Sequence, residues 1–416
     1  MAKKTTLAGG IAQLGLDSFS GITGAVEQVH QSIARTSVSN IPGLANSRLP
    51  GLGGKNPVYS VMLKTASAVN LGVRNLTKIV GDDGEVPGGN RNLAWLAALN
   101  GVCGDHLEAT DNPLAMRMEI TDGSRVLELD RESLDGSLPG AGPHIVLMVH
   151  GLCLSDQDWF RHDGADLGES LCDELHFNPV YLRYNTGRHI SANGQSLARL
   201  LERLCAAWPV PVESLSLVGH SMGGLVIRSA CRYAAGAGRS WPNLLERVLF
   251  LGTPHQGSYL EKAGHLLDGA LSFIPHAEPL LFGRKRSAGI RDLRYGYLLD
   301  EDWQDDLSGK GLRRDFRPVP LEPGVEYYIA AARVGNGDES LTGRIVGDLL
   351  VRTGSAMGEH RDGEFSLDFQ SENVRIFPEK THFDLLGDDC VHRQVVEWFG
   401  QPGMPGAGDP VIAKSP

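Results

Sequence analysis

The sequence has no Cys-x-x-Cys pair and no dense set of cysteines. Its six cysteines, Cys103, Cys153, Cys172, Cys205, Cys231 and Cys390, stand far apart. That spacing fits neither a thiolate metal site nor a small disulfide-stapled scaffold. Reduced thiols are expected, mostly buried as small apolar side chains. A continuous apolar leader is also missing. After Met-Ala-Lys-Lys the run is broken by Gly9, Gly10, Gln13, Gly15 and Asp17, which argues against a signal peptide. No uncharged stretch reaches membrane-spanning length. Ala2 argues against N-myristoylation, and no prenylation cysteine stands at the C-terminus. A cytoplasmic protein without an integral membrane segment is the expectation.

Positive charge is scarce as well. Lys and Arg number 39 against 50 Asp and Glu, a formal net charge of -11. Nucleic acids and anionic membrane surfaces select for basic patches, so neither is expected as the main partner. A neutral lipid or ester remains compatible. Hydrophobic residues make up 41% of the 416, enough for a sizeable core and too many for a disordered chain. The length suits one large domain with attachments, or two domains.

Residues 1–115 read as a helical N-terminal extension. Ile22, Val26, Val29 and Ile33 recur at helical spacing, as do Tyr59, Met62, Leu63, Ala66, Val69 and Leu71, and Asn92–Leu99 looks helical. Ile41–Lys55 and Gly81–Asn90 read as loops. The extension carries no chemical motif. A lid or packing arm is the simpler expectation, a separate binding module the other. Met116–Ile120 and Ser124–Leu129 flank Asp122-Gly123, a hairpin signal.

A parallel α/β pattern follows. Strands are predicted at His144–Val149, Pro179–Tyr184, Ser214–Val218 and Arg247–Leu251, and helices at Ala165–Leu175, Ser191–Cys205 and Met222–Tyr233. Continuous apolar strands alternating with amphipathic helices specify a sheet covered on both faces. The alternation stops over Gly257–Gly324. It resumes with strands at Val325–Ala331 and Val374–Phe377 and a helix at Asp389–Phe399. Residues 401–416 read as a flexible tail.

The strand Leu215–Val218 runs into Gly219-His220-Ser221-Met222-Gly223-Gly224 and then into a helical pattern. This is G-x-S-x-G in the strand–turn–helix context that a nucleophile elbow requires. So sharp a turn strains the backbone at the serine, and small neighbours, here Gly219 and Gly223, let strand and helix approach. Ser221 is therefore the expected nucleophile. An oxyanion hole needs backbone N–H donors. Met222, after the serine, is one. Leu152, in His150-Gly151-Leu152 after the first parallel strand, is the other. His150 is expected to brace that loop, and Cys153 to line the site.

His382 follows the last strand and is the expected base by chain order. The other histidines fit less well. His220 is too close in sequence to face the Ser221 hydroxyl, His255 follows the wrong strand and is expected to pack beneath a cap, and His189 is a candidate pocket residue. Between nucleophile and base, after the strand Val325–Ala331, two acids are the candidates: Asp348 in Val346–Val351 and Asp338 in Gly335–Glu339. Asp384 reads as a capping or solvated carboxylate.

These segments resemble α/β-hydrolase lipases and esterases, most closely bacterial lipase-like proteins related to GPI inositol deacylases. The resemblance covers about Pro143 to Phe399. It is carried by Val149–Leu152, Gly219–Gly224, Leu251–Ser258, Gly347–Val351 with Ser355-Ala356, and His382–Leu386. It implies an α/β-hydrolase fold over residues 116–400, with a mainly parallel sheet and a helical cap at about 257–324. Leu266, Leu267, Ala270, Leu271, Phe273 and Ile274 in that cap fit either an acyl-chain cover or ordinary packing. The resemblance favours Asp348 as the acid, although Leu349 and Arg352 depart from the family's Gly-Asp-Gly-Leu-Val-Pro. Asp388 and Asp389 suit a helix start better than a calcium site, so no metal or cofactor is expected. The implied function is hydrolysis of a hydrophobic acyl ester through Ser221, His382 and Asp348. An acyltransferase, thioesterase or amidase would use the same residues. A non-catalytic binding protein on the same fold is the remote alternative. Neither the substrate nor the oligomeric state is legible.

Overall fold

The computed structural model describes residues 90–160, 166–257, 287–307, 318–333, 348, 351, 353–360 and 363–401. The helical runs read within residues 22–71, the acid candidate Asp338, the cap's apolar run and the tail beyond Gln401 lie outside the described residues.

Among the described residues, seven strands form one sheet in the order β1-β3-β2-β4-β5-β6-β7. They are β1 (Glu119–Thr121), β2 (His144–Val149), β3 (Asn178–Arg183), β4 (Ser214–His220), β5 (Leu245–Leu251), β6 (Glu326–Arg333) and β7 (Val374–Pro378). Only β1 is antiparallel; it pairs with β3, Ile120 opposite Leu182. Every other neighbouring pair is parallel. This is the α/β-hydrolase fold.

The parallel strands β2 to β6 bury both faces, as their apolar runs require, whereas β7, at the sheet edge, leaves Arg375 exposed. Successive side chains point to opposite sides. Ile145, Leu147 and Val149 of β2 enter one core and Val146 and Met148 the other. The first core is closed by α1 (Asn90–Ala109), α4 (Ile190–Ala207) and α5 (Met222–Gly236), with Leu134 of α2 (Arg131–Ser137) and Ala356 of α8 (Thr353–Ala356) packed into it. Leu197, Leu201 and Leu204 of α4 are fully buried, each worth about 1.5–3 kcal/mol against exposure. The second core is closed by α3 (Leu167–Leu175) and α9 (Asp389–Phe399).

Two elements differ from their sequence reading. The hairpin at Asp122-Gly123 is only a tight turn with one bridge, Thr121 to Val126. The Asp122 carboxylate accepts the N–H groups of Ser124 and Arg125, both at 2.9 Å, and so satisfies backbone that a longer hairpin would have paired. The helix read at Asn92–Leu99 runs on to Ala109, with a kink at Cys103. Leu99, Leu107 and Leu114 sit in the same core as β2. Residues of the stretch read as an extension thus pack inside the hydrolase body.

All six cysteines are free. Cys103, Cys153 and Cys231 are buried, whereas Cys172 and Cys390 are exposed.

Candidate active site

The parallel strands end along one edge of the sheet, and the loops after β2, β4, β5 and β7 carry the candidate residues. Ser221 lies between β4 and α5 at φ 54° and ψ -123°, a positive φ that a residue with a Cβ rarely adopts. Its N–H donates to Leu251 O at 2.8 Å, which ties the strained residue to the end of β5. The glycines around it are sterically required. A Cβ on Gly219 would lie 2.6 Å from Gly224 N, and one on Gly223 only 2.2 Å from Val149 O. Such contacts are forbidden, so α5 sits this close to β2 and β4 only with glycine at both positions.

Met222 is the first residue of α5, where a backbone N–H has no intrahelical acceptor. Leu152 is buried in the turn after β2. That loop presses on Ser221: a Cβ on Gly151 would lie 3.0 Å from Ser221 Cβ. His150 braces the loop. Its Nδ1 donates to Gly151 O at 3.0 Å, its carbonyl accepts from the Tyr184 hydroxyl at 2.8 Å, and its ring lies 4.5 Å from that of Tyr184. Burial lowers the His150 imidazole to about 4, so the ring is neutral at pH 7. Cys153 follows at φ 62°, and burial raises its thiol to about 12, which leaves it unreactive.

His382 and Asp348 meet. Nδ1 of His382 lies 2.6 Å from Asp348 Oδ2, and Asp348 Oδ1 accepts the Val351 N–H at 2.7 Å. A carboxylate that accepts at Nδ1 leaves Nε2 as the proton acceptor of a neutral ring. His382 Nε2 is buried, with no hydrogen-bond partner among the described residues. Asp384 shapes the turn that carries the histidine: its Oδ2 accepts from Thr381 N and Oγ1 at 2.7 and 2.8 Å. Asp388 caps α9 through Cys390 N and pairs with Lys380.

The other candidate histidines have structural partners. His255 is buried against Phe250 and Phe369, 3.5 Å from Arg228 Nη1, and burial holds its imidazole well below the ordinary value. His189 pairs with Asp292 at 3.0 Å and stacks on Trp303. His220, set aside in the sequence reading, has Nε2 3.2 Å from His382 O. Gly252, given no role of its own in the sequence reading, packs on the His382 ring: a Cβ there would lie 3.0 Å from Nδ1 and Cε1. The Leu251–Ser258 motif was the available signal for Gly252. For His220 it was adjacency to the serine.

Residues 141–269 match the PGAP1-like alpha/beta domain. The span takes in β2 to β5, the elbow and the His150–Leu152 loop, and so overlaps most of the sequence motifs described above. No curated protein sequence matches the chain. Among solved structures the chain is similar to a Bacillus licheniformis lipase in its mature form, at 20% identity over 62% of this chain and 93% of that one, TM-score 0.38. It is also similar to a phospholipase from Legionella pneumophila, at 19% identity over 52% and 46%, TM-score 0.36. An esterase from Pyrococcus furiosus is similar at 13% identity over 64% and 83%, TM-score 0.34. Among the described residues, no helix is long and apolar enough to cross a membrane.

Proposed function

We propose that the protein is a carboxylic ester hydrolase that works through an acyl-enzyme on Ser221. The observation that carries this reading is the strained Ser221 backbone, at φ 54°, on the turn between β4 and α5. Strain of this kind persists only where the surroundings enforce it, and here glycines on both sides make room for it. A structural turn would relax with glycine at position 221.

In this reading His382 Nε2 takes the Ser221 hydroxyl proton as the oxygen attacks the ester carbonyl. Asp348 holds the ring in the Nδ1–H tautomer and stabilises the imidazolium that forms. The N–H groups of Met222 and Leu152 receive the charge that develops on the carbonyl oxygen. His382 then gives the proton to the departing alcohol. Water, deprotonated by the same nitrogen, releases the acid and restores Ser221. Preorganised donors of this type contribute about 10²–10³-fold in rate each. Helix α1, packed against the loop that carries Leu152, belongs to the working hydrolase body in this reading.

The test is Ser221→Ala with short p-nitrophenyl esters and a fluorophosphonate probe. The wild type should turn over the esters and take one adduct, located at Ser221 by mass spectrometry. The variant should do neither. Wild-type turnover by Ser221→Ala, or labelling at another residue, overturns the assignment.

A further inference from the structure

His220 is neither the base nor an oxyanion donor in the mechanism above, yet it touches three parts of the site. It is the last residue of β4 and is fully buried. Its Nε2 lies 3.2 Å from the carbonyl oxygen of His382. A carbonyl only accepts, so this nitrogen donates. The His220 and His382 rings lie 4.8 Å apart. On its other side the ring abuts the loop after β2, where a Cβ on Gly151 would lie 3.1 Å from Nδ1.

We propose that His220 is a positioning residue that fixes His382 relative to Ser221 through the Nε2–H to His382 carbonyl bond. The proposal rests on the reading of Ser221 and His382 as nucleophile and base. The physical need is clear from the geometry. Asp348 grips the His382 ring at one atom, Nδ1. That bond fixes the ring at one end and leaves the backbone that carries it still to be placed. A second bond, made to the carbonyl of the same residue from the strand that ends at Ser221, places that backbone. Base and nucleophile then share a mount, because residues 220 and 221 are consecutive. A misplacement of about 1 Å between such groups costs about 10²-fold in rate.

Glutamine and asparagine separate this role from simple filling of space. A glutamine amide nitrogen reaches the place of histidine Nε2, whereas an asparagine amide nitrogen falls at the place of Nδ1. The full chain with His220→Gln or His220→Asn is compared with wild type for kcat and KM on a p-nitrophenyl ester, for the rate of fluorophosphonate labelling, for melting temperature and for the pH dependence of kcat/KM. His220→Asn should lose about 30- to 100-fold in kcat with KM held, as misplacement predicts. Labelling should slow by the same factor. The midpoint of the pH profile should stay, since His382 remains the base. His220→Gln should recover most of the lost rate. If His220→Asn does not fold, His220→Phe, which keeps a ring without the donor, takes its place in the comparison.

Full rate in the donor-free variant overturns the proposal. So does a glutamine variant as slow as the asparagine one, or a displaced pH midpoint. Ser221→Ala assayed alongside tells the two readings apart. An active Ser221→Ala removes the mechanism, and the His220 role with it. An inert Ser221→Ala beside a full-rate His220→Asn removes only the role of His220.

Discussion

His382 Nδ1 lies 2.6 Å from Asp348 Oδ2, with both side chains only 2% exposed. The other carboxylate oxygen is engaged by the Val351 N–H, so the group is held from two sides. This arrangement makes Asp348→Asn informative. Val351 N–H needs an acceptor, so it keeps the amide oxygen and turns the amide NH₂ toward His382. Nδ1 must then accept, the ring proton moves to Nε2, and the ring cannot take a proton from Ser221. The expected loss is about 10⁴-fold in kcat with KM nearly unchanged. Steady-state kinetics on a p-nitrophenyl ester checks this. A change confined to KM would count against Asp348 as the partner acid.

Helix α1 makes a second test. A Cβ on Gly101 would lie 2.2 Å from Cys153 Sγ and 3.0 Å from Cys153 N and Cα. Cys153 adjoins Leu152, the proposed oxyanion donor. Gly101→Val should push that loop and lower kcat by about tenfold, with overpacking costing about 1–3 kcal/mol of stability. Kinetics and thermal unfolding measured on one preparation separate the two effects. Stability loss with full kcat would sever α1 from the chemistry.

The buried histidines set the acid response. Burial lowers the His150 imidazole from its ordinary value of about 6.5 to about 4. Above pH 6.5 neither the folded nor the unfolded chain protonates this group. Between pH 6.5 and about 4 the unfolded chain binds the proton and the folded chain does not, so stability falls as pH falls. The total effect is about 3 kcal/mol. His255 and His392 are lowered by burial as well and act in the same direction. His150→Asn keeps a donor near Nδ1 for Gly151 O and cannot titrate. Urea unfolding at pH 7.5 and pH 5 should show a smaller loss for the variant than for wild type. Parallel losses would refute the effect.

The parallel strands and their helices were legible because both signals are local. A run such as Ile145–Val149 is apolar at every position, and the α4 leucines recur at helical spacing. The elbow was legible for the same reason, since Gly219, Ser221 and Gly223 are neighbours in sequence. Asp348 was harder. In the sequence only the family resemblance and chain order favoured it over Asp338, since its contact with His382, 34 residues away, is a long-range fact. The His220 contact to His382 O spans 162 residues and leaves no local trace beyond a histidine next to the serine. The burial of α1 was missed because its apolar pattern is weak. Its docking relies on small residues and polar contacts, such as Asn185 Nδ2 donating to Gly104 O at 2.9 Å. Apolar periodicity does not record contacts of that kind.

One such polar contact holds the described residues 287–307 against the body. Asp292, on α6 (Ala288–Tyr295), accepts from Ile190 N at 2.8 Å and pairs with His189 at 3.0 Å. Ile190 is the first residue of α4, so its N–H has no acceptor within the helix. The carboxylate caps α4 from another element, while the His189 ring stacks on Trp303 of α7 (Asp300–Leu307) at 4.0 Å. Burial raises the Asp292 carboxyl against the pull of His189, the Ile190 N–H and Arg291, so its charge is held at a cost that these partners offset in part. Asp292→Ala should orphan the Ile190 N–H and cost about 2–3 kcal/mol, a fall of about 5 °C in melting temperature. Asp292→Asn should cost less, because its amide oxygen still accepts from Ile190. Limited proteolysis should cut residues 287–307 faster in the alanine variant than in the asparagine variant. Equal melting and cutting in all three proteins would show that this contact does not hold the segment in place.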